Sequence, residues 1–424
     1  MVTRVNWPTK RLGELAEFRN GVNYNKSSFG VGIKVVGVSD FKDYTRPRYA
    51  ELEQINPEGI VRECNILRDG DIVFVRSNGN RELIGRSLYI ENPPEEVTHS
   101  AFTIRLRFSA GNVLPRFYAY CFKTPVIRQA LTAYGGGTNI SNLNQDILNA
   151  LKVPFPPLPT QLKIASILSA YDDLIENNLR RIKILEEMAQ NLYREWFVKF
   201  RFPGHQHARF VDSPLGPIPE GWEVVPLGDI VNLCRKGVQP QNFPDELFEH
   251  FSFPAYDSGK LPAVEKGQTI KSGKYEVPLN CVLVPKLNPH IPRVWLPRPR
   301  NDFRSIASTE YLILEPKKYS TAFYYVLFNS PEMAEKLAGR ADGTSTSHKR
   351  LKPGDFLDQL TVAPPDPITD AFDSLVVPAM DLVISLIHKN TNLRNTRDLL
   401  LPRLISGEVE VSELDITVPE ETEV

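Results

Sequence analysis

Asn92-Pro93-Pro94 begins like the Asn-Pro-Pro-aromatic motif that holds a flipped adenine for methyl transfer, but Glu95 stands where a ring must stack on the base. No glycine-rich strand-to-helix cofactor loop precedes it. Gly135-Gly136-Gly137-Thr138 lacks the Lys with which a P-loop cradles a triphosphate. Pro244-Asp245 has no Asp/Glu-x-Lys partner before Glu315-Pro316-Lys317, too distant for a nuclease core. His99, His290 and His348 show no metal-ligand spacing and read as surface or turn residues. Cys64, Cys121, Cys234 and Cys281 form neither a Cys-x-x-Cys knuckle nor a disulfide framework; they read as reduced, mostly buried thiols of a cytoplasmic protein. Neither a catalytic residue nor a metal site is expected in this chain.

Other residues have the chemistry to read DNA. Arg and Lys bridge guanine, and Asn or Gln bridges adenine, by paired hydrogen bonds in the major groove. Loops that mix these types with Gly are Arg76-Ser77-Asn78-Gly79-Asn80-Arg81 and Tyr134 to Asn139, the latter including Thr138. Later come Lys286-Leu287-Asn288-Pro289-His290 with Arg293, and Thr344 to Arg350 with His348 and Lys349. Ordinary solvated polar loops have the same composition.

Bulk charge permits nucleic-acid contact without demanding it. The chain of 424 residues has net charge -1, but residues 1 to 155 hold 20 Lys and Arg against 15 acids, and residues 213 to 366 hold 18 of each. From Glu408 to the end there are seven acids and no base, so the body without this tail is mildly cationic. No run approaches the 18 or so uninterrupted apolar residues of a membrane span, and the N-terminus has no signal-like apolar stretch.

The elements that must position these loops occur twice. Trp7 and Leu12-Gly13-Glu14-Leu15 recur as Trp222 and Leu227-Gly228-Asp229-Ile230, 215 residues later. Asp71-Ile72-Val73-Phe74-Val75 matches Asn280 to Val284, and Phe102-Thr103-Ile104 matches Tyr311-Leu312-Ile313, both 209 apart. Thr124-Pro125 matches Ser330-Pro331, and Gly137-Thr138 matches Gly343-Thr344, now 206 apart. The drift is what loop insertions and deletions leave between two copies of one domain. The apolar runs predict strands, and each hydroxyl-Pro pair predicts an N-cap opening a short amphipathic helix. The two selected loops of one copy are positional equivalents of those in the other.

A proline-rich joint follows each copy, VPFPPLPTQ and then VAPPDPITD; a stiff connector explains both placements better than an SH3 ligand does. Beyond the first, Ile164, Leu168, Tyr171, Ile175, Asn178, Ile182, Leu185, Ala189 and Leu192 alternate in steps of four and three, a heptad seam broken by Asn178. Asn178 either fixes register in a buried seam or faces solvent on a curved helix. Beyond the second joint, Leu375, Ala379, Leu382, Leu386, Lys389, Leu393, Thr396 and Leu400 repeat the steps, with Pro378 expected to kink or restart the helix. Two such seams predict an intramolecular antiparallel coiled coil, a strut of about 60 Å for 40 residues, and hence a split DNA site with set spacing. Inserting a whole heptad into 160–199 is expected to change the tolerated spacer and leave both half-sites unaltered. Trp196, Phe197 and Phe200 are expected to pack at the end of the coil or against a partner, rather than to stack on bases.

PPLPTQLKIASILSAYDDLIENNLRRIKILEEMAQNLYREWFVKF resembles the central conserved region of the specificity subunits of Type I restriction-modification systems. The match runs through Pro156, Pro157, Leu158, Pro159 and Gln161, then Ala165, Ile167, Leu168, Asp172, Ile175, Glu176 and Asn178, then Glu186, Met188, Ala189, Leu192, Trp196 and Phe197. LLLPRLISGE, residues 399–408, resembles the family's distal conserved region. The resemblance implies that each variable domain reads half of a split duplex target. It also implies that the conserved helices bind two modification subunits, which methylate adenine with S-adenosylmethionine, and that restriction/translocase subunits complete the assembly. Gln161, Asp172, Glu176, Asn178, Met188, Trp196 and Phe197 are the subunit-binding residues it points to. The second helix departs from the pattern: no Gln follows Pro364-Pro365-Asp366-Pro367, and Pro378 lies within it.

The expected fold is α+β: two homologous α/β target-recognition domains, 1–158 and 221–365, separated by antiparallel coiled-coil helices at 159–200 and 366–407 in a pseudo-two-fold arrangement. A linker at 201–220 and an acidic tail at 408–424 complete it. The expected function is a non-catalytic DNA specificity subunit; the alternative is a stand-alone methyltransferase or nuclease with a hidden centre.

Overall fold

A computed structural model describes residues 7–41, 45–133, 142–300, 302–342 and 349–416. The chain divides into two compact units, one built from Met1–Leu174 with Leu393–Val424, the other from Ile175–Asn392.

In the first unit, Ile72–Val75 is a run of β-branched and aromatic residues with every side chain buried, which only a strand covered on both faces accommodates. It pairs antiparallel with Thr103–Phe108, which pairs in turn with Ala16–Asn20, and Ser87–Tyr89 closes the other edge. Asp71, fully buried at the head of the strand, receives Nε and Nη2 of Arg107 at 2.7 and 2.6 Å and the Arg68 N–H at 2.7 Å. A second sheet has Phe29–Val36 at its centre, antiparallel to Glu53–Ile55 and parallel to Val97–His99. Thr9–Arg11 and Lys152–Pro154 clip the ends of the domain together.

The second unit repeats this plan. Tyr311–Pro316 lies between Val231–Cys234 and Val282–Pro285, all antiparallel, and a bridge from Leu283 to Trp295 stands where the first unit has its fourth strand. Leu247–Phe251 is antiparallel to Ala263–Lys266 and parallel to Arg304–Ser308, with Lys274–Glu276 and Gly237–Val238 added at the far edge. Glu223–Pro226 and Leu360–Ala363 form the matching clip. The hydroxyl-Pro pairs also agree: Thr124 and Ser330 each donate Oγ to the carbonyl three residues back, at 2.7 Å, and Ser330 Oγ caps Met333 N–H.

Two long helices, Leu158–Tyr193 and Asp366–Ile405, contribute to both units. Within the first unit, Ile164, Ala165 and Leu168 share a core with Leu401, Leu404 and Ile405. Asp172 is tied to Arg397 and accepts the Tyr120 hydroxyl at 2.8 Å. Within the second, Asn178 Nδ2 donates to Asn390 Oδ1 at 2.9 Å, and Trp196 and Phe197 pack on Phe372 with ring centroids 6.0 and 5.0 Å apart. In each unit low numbers on one helix meet high numbers on the other, so the pairing is antiparallel. Asn178, 8% exposed, is the buried register residue, not a solvated one.

Two expectations about the second helix are corrected. Its inward stripe is Phe372, Val376, Met380, Val383, Leu386 and Asn390, followed in the first unit by Leu401 and Leu404, while Leu375 is 56% exposed. Leu375/Val376, Ala379/Met380 and Leu382/Val383 place two apolar stripes one residue apart, equivalent by periodicity. Phe372 against the aromatic cluster and Asn390 against Asn178 select one of them. Of the two outcomes expected at Pro378, a restart does not occur: one helix runs through it, with Val376 and Met380 in the core on either side. The double stripe gives an 18-residue window a mean hydropathy of 1.5, enough by length and composition to cross a membrane, where the uninterrupted-run criterion had found none.

Val411 is fully buried in the first unit's core, and Lys163 Nζ donates to the carbonyls of Ser412 and Leu414 at 2.6 and 2.9 Å. The described start of the acidic tail is thus part of the fold.

Candidate nucleic-acid interface

In each unit the loop that leaves one buried strand is bonded to described chain further on: Arg76 to Leu143 in the first, and Lys286 and Asn288 to Leu351 and Lys349 in the second. Arg76, leaving Ile72–Val75, donates its N–H to Phe102 O at 2.8 Å, and its own carbonyl accepts from Leu143 N at 2.9 Å. Lys286, leaving Val282–Pro285, donates to Glu310 O at 2.9 Å, and its carbonyl accepts from Leu351 N at 2.8 Å. The same backbone bonds in both copies hold a strand exit, a turn and the chain returning from the second loop. Side chains rooted there have fixed origins.

The first unit's loop is stiffened by its own amides. Asn78 Oδ1 accepts the Asn80 N–H at 2.8 Å, and Asn80 Oδ1 accepts the Glu82 N–H at 3.0 Å, a succession of Asx turns. In the second unit Asn288 adopts φ 51°, a left-handed conformation that Asn tolerates. Its N–H reaches Lys349 O at 2.7 Å while its Oδ1 accepts the Lys349 N–H at 3.1 Å, which joins Lys286, Asn288, Lys349 and Arg350 in one cluster. Arg350 pairs with Glu310 at 2.9 Å, and His290 is exposed. Arg293 stands apart: a two-pronged ion pair to Asp257 at 2.8 and 2.9 Å holds it over the Phe253 ring. Tyr134, Thr138, Asn139, Thr344 and His348 lie outside the described residues, and of Arg81 only the backbone is described.

Composition missed one residue at this site. Phe102, the turn residue that accepts the Arg76 N–H, is 62% exposed. Matching Phe102-Thr103-Ile104 to Tyr311-Leu312-Ile313 treated it as strand, yet the strand begins at Thr103. The signal available was the small pair Ser100-Ala101 just before it, which suits a turn.

His99 is a correction. It is fully buried rather than on the surface, at the end of a parallel strand, with Nδ1 2.9 Å from Thr103 Oγ1. Burial, reinforced by Arg105, Arg107 and Arg19, holds its pKa down at about 3. Five of the expected subunit-binding residues have their side chains turned into this chain's own interior. Gln161, fully buried, accepts the Leu114 N–H at 2.9 Å and donates to Pro156 O and Asn112 O at 2.9 and 3.2 Å. Asp172, Asn178, Trp196 and Phe197 are all at most 9% exposed and serve the helix contacts already described. Glu176 and Met188 remain at the surface, Met188 62% exposed. Asn92 is a turn residue, its N–H on Asp69 Oδ1 at 2.7 Å.

The fold and site define a class: a duplicated α/β module, each copy braced by helices from both parts of the chain and presenting a polar loop at one strand end. Residues 4–187 match the family model described as Type I restriction modification DNA specificity domain. The chain is 26% identical to the Type I restriction enzyme MjaIX specificity subunit of Methanocaldococcus jannaschii, over 96% of this chain and 95% of that one. It is 23% identical to the HindI specificity subunit of Haemophilus influenzae over 81% and 87%. Its fold is that of a Type I restriction-modification S subunit from M. genitalium, with TM-score 0.59 at 13% identity, covering 95% of this chain and 96% of that one. Over nearly its whole length the chain is thus similar to specificity subunits of Type I restriction enzymes, and residues 4–187 carry the match to the specificity-domain family.

Proposed function

We propose that this chain reads a split duplex DNA target, one half-site per unit, and brings modification subunits to it while carrying no catalysis itself. The observation that carries this reading is the repeated backbone frame around Arg76 and Lys286, which offers guanidinium, ammonium and amide groups from equivalent places on two copies of one fold. Such groups discriminate base edges in the major groove. Methyl transfer to adenine, with S-adenosylmethionine, belongs to two partner modification subunits, and cleavage to restriction/translocase subunits. The surface for assembly includes Met188 and the outward stripe of the second helix. The purified chain alone is expected to leave DNA unmethylated and uncut, and to confer site-specific adenine methylation once mixed with a modification subunit. Methyl transfer by the lone protein overturns this reading; mapping the modified adenines gives the target and its spacer.

A further inference from the structure

Phe102 is an apolar ring at a polar site, and everything around it is fixed. Its turn is hydrogen-bonded throughout: Ser100 N to Val36 O at 3.0 Å, Ala101 N to Val22 O at 2.8 Å, and Thr103 N to Ser100 O at 2.9 Å. Phe102 N donates to Ser100 Oγ at 3.2 Å, and Thr103 Oγ1 to Ser100 O at 2.7 Å. In the same turn His99, Ser100 and Thr103 are at most 3% exposed. Gly21 lies so close that a Cβ there would sit 2.2 Å from His99 O and 2.3 Å from Ser100 O, so the neighbouring strand clamps the turn from behind. Phe102 O accepts the N–H groups of Arg76 and Ser77 at 2.8 and 3.3 Å, which ties the ring's backbone to the polar loop.

Leaving a phenyl ring in water forgoes burial free energy, whereas a ring on a rigid base has little conformational entropy left to lose on contact. The corresponding backbone position in the second unit is Glu310, bonded to Arg350. The ring is therefore not required by the shared frame.

We propose that Phe102 is a specificity-determining residue of the first unit, in apolar contact with the 5-methyl group of a thymine in the half-site that this unit reads. This rests on the DNA-reading function proposed above. Arg76, Asn78 and Asn80 offer only polar groups, and among major-groove base edges the thymine methyl is the apolar one; a ring beside them adds the readout they lack.

The test uses the full chain assembled with its modification subunit. The probes are duplexes carrying the target found by methylation mapping, with each thymine of either half-site replaced in turn by uracil, which lacks the methyl. The wild type is expected to lose affinity about two- to fourfold at one thymine of the first unit's half-site, the worth of one methyl contact. Phe102→Ala should show no preference there and keep those of the other half-site; Phe102→Leu should retain part of it. Both variants should melt with the wild type, so misfolding does not imitate the result. A Phe102→Ala complex with an undiminished thymine preference overturns the proposal, as does a wild type indifferent to every uracil in that half-site. Weakened subunit assembly with unchanged base preference also overturns it and makes the ring a protein contact. A wild-type complex that binds mapped and scrambled duplexes equally removes the DNA-reading function itself, and the proposal with it.

Discussion

Asp71 and Arg107 show how one buried charge orders the first recognition module. The carboxylate is fully buried and accepts from a two-pronged guanidinium and a backbone N–H. Removing one partner leaves the other without compensation, so Arg107→Ala is expected to destabilise the first unit by about 3–5 kcal/mol, read by urea unfolding. His99 gives this unit a pH dependence. Its pKa is about 3 in the folded chain and about 6.5 when unfolded, so the unfolded state takes the proton first as pH falls. Stability present above pH 6.5 is lost towards pH 3, by up to about 1.4 kcal/mol per pH unit. His99→Gln is expected to flatten the unfolding free energy across that window by one proton; an unchanged slope counts against a buried neutral imidazole. Neither role was legible in the sequence. His99 is one of seven histidines in the chain, and only the packing of its strand against Phe29–Val36 and the turn at Ser100 puts it in the interior.

At the scale of elements, the helices combine a face that folds the chain with a face left over. Asn178→Leu leaves Asn390 Oδ1 buried without its donor, while Nδ2 keeps the Ile175 carbonyl at 3.4 Å, and is expected to cost about 1–3 kcal/mol, much of it regained when Asn390→Leu is added. A double variant no more stable than the single one contradicts the pairing. Leu375→Ser and Leu382→Ser lie on the exposed stripe, 56% and 37% exposed, and are expected to change stability by less than about 0.5 kcal/mol while weakening association with the modification subunit. Calorimetry and subunit titration separate the two effects. Heptad spacing located the first helix's seam, because apolar residues there are flanked by charges. On the second it agreed at Leu386 but fell one residue off at Leu375, Ala379 and Leu382, because two apolar stripes satisfy the same period and the choice is made by what Phe372 and Asn390 meet on the other helix.

At the scale of the molecule, the first unit is discontinuous in sequence. Leu401, Leu404, Ile405 and Val411, far along the chain, complete a core begun by Leu12 and Leu15. Burying four such side chains is worth about 6–12 kcal/mol, comparable to the whole stability of a domain. Ending the chain at residue 392 is therefore expected to leave 7–174 open to protease while 175–392 resists, and equal resistance of both stretches refutes this. Net charge -1 gives no global attraction for DNA, so binding must come from local cations and should weaken steeply with salt.

The sequence by itself determined the duplication, the main strands and the helices, because periodicity, turn residues and capping pairs are local and leave their mark within a few residues. Tertiary structure alone decided which stripe of the second helix faces inward, that Gln161 and Asp172 serve the interior, that the distal chain completes the first unit, and that Arg76 and Lys286 sit in one backbone frame, with Phe102 beside it in the first copy. Each of these depends on which distant residue fills the space opposite, and spacing along the chain does not encode that.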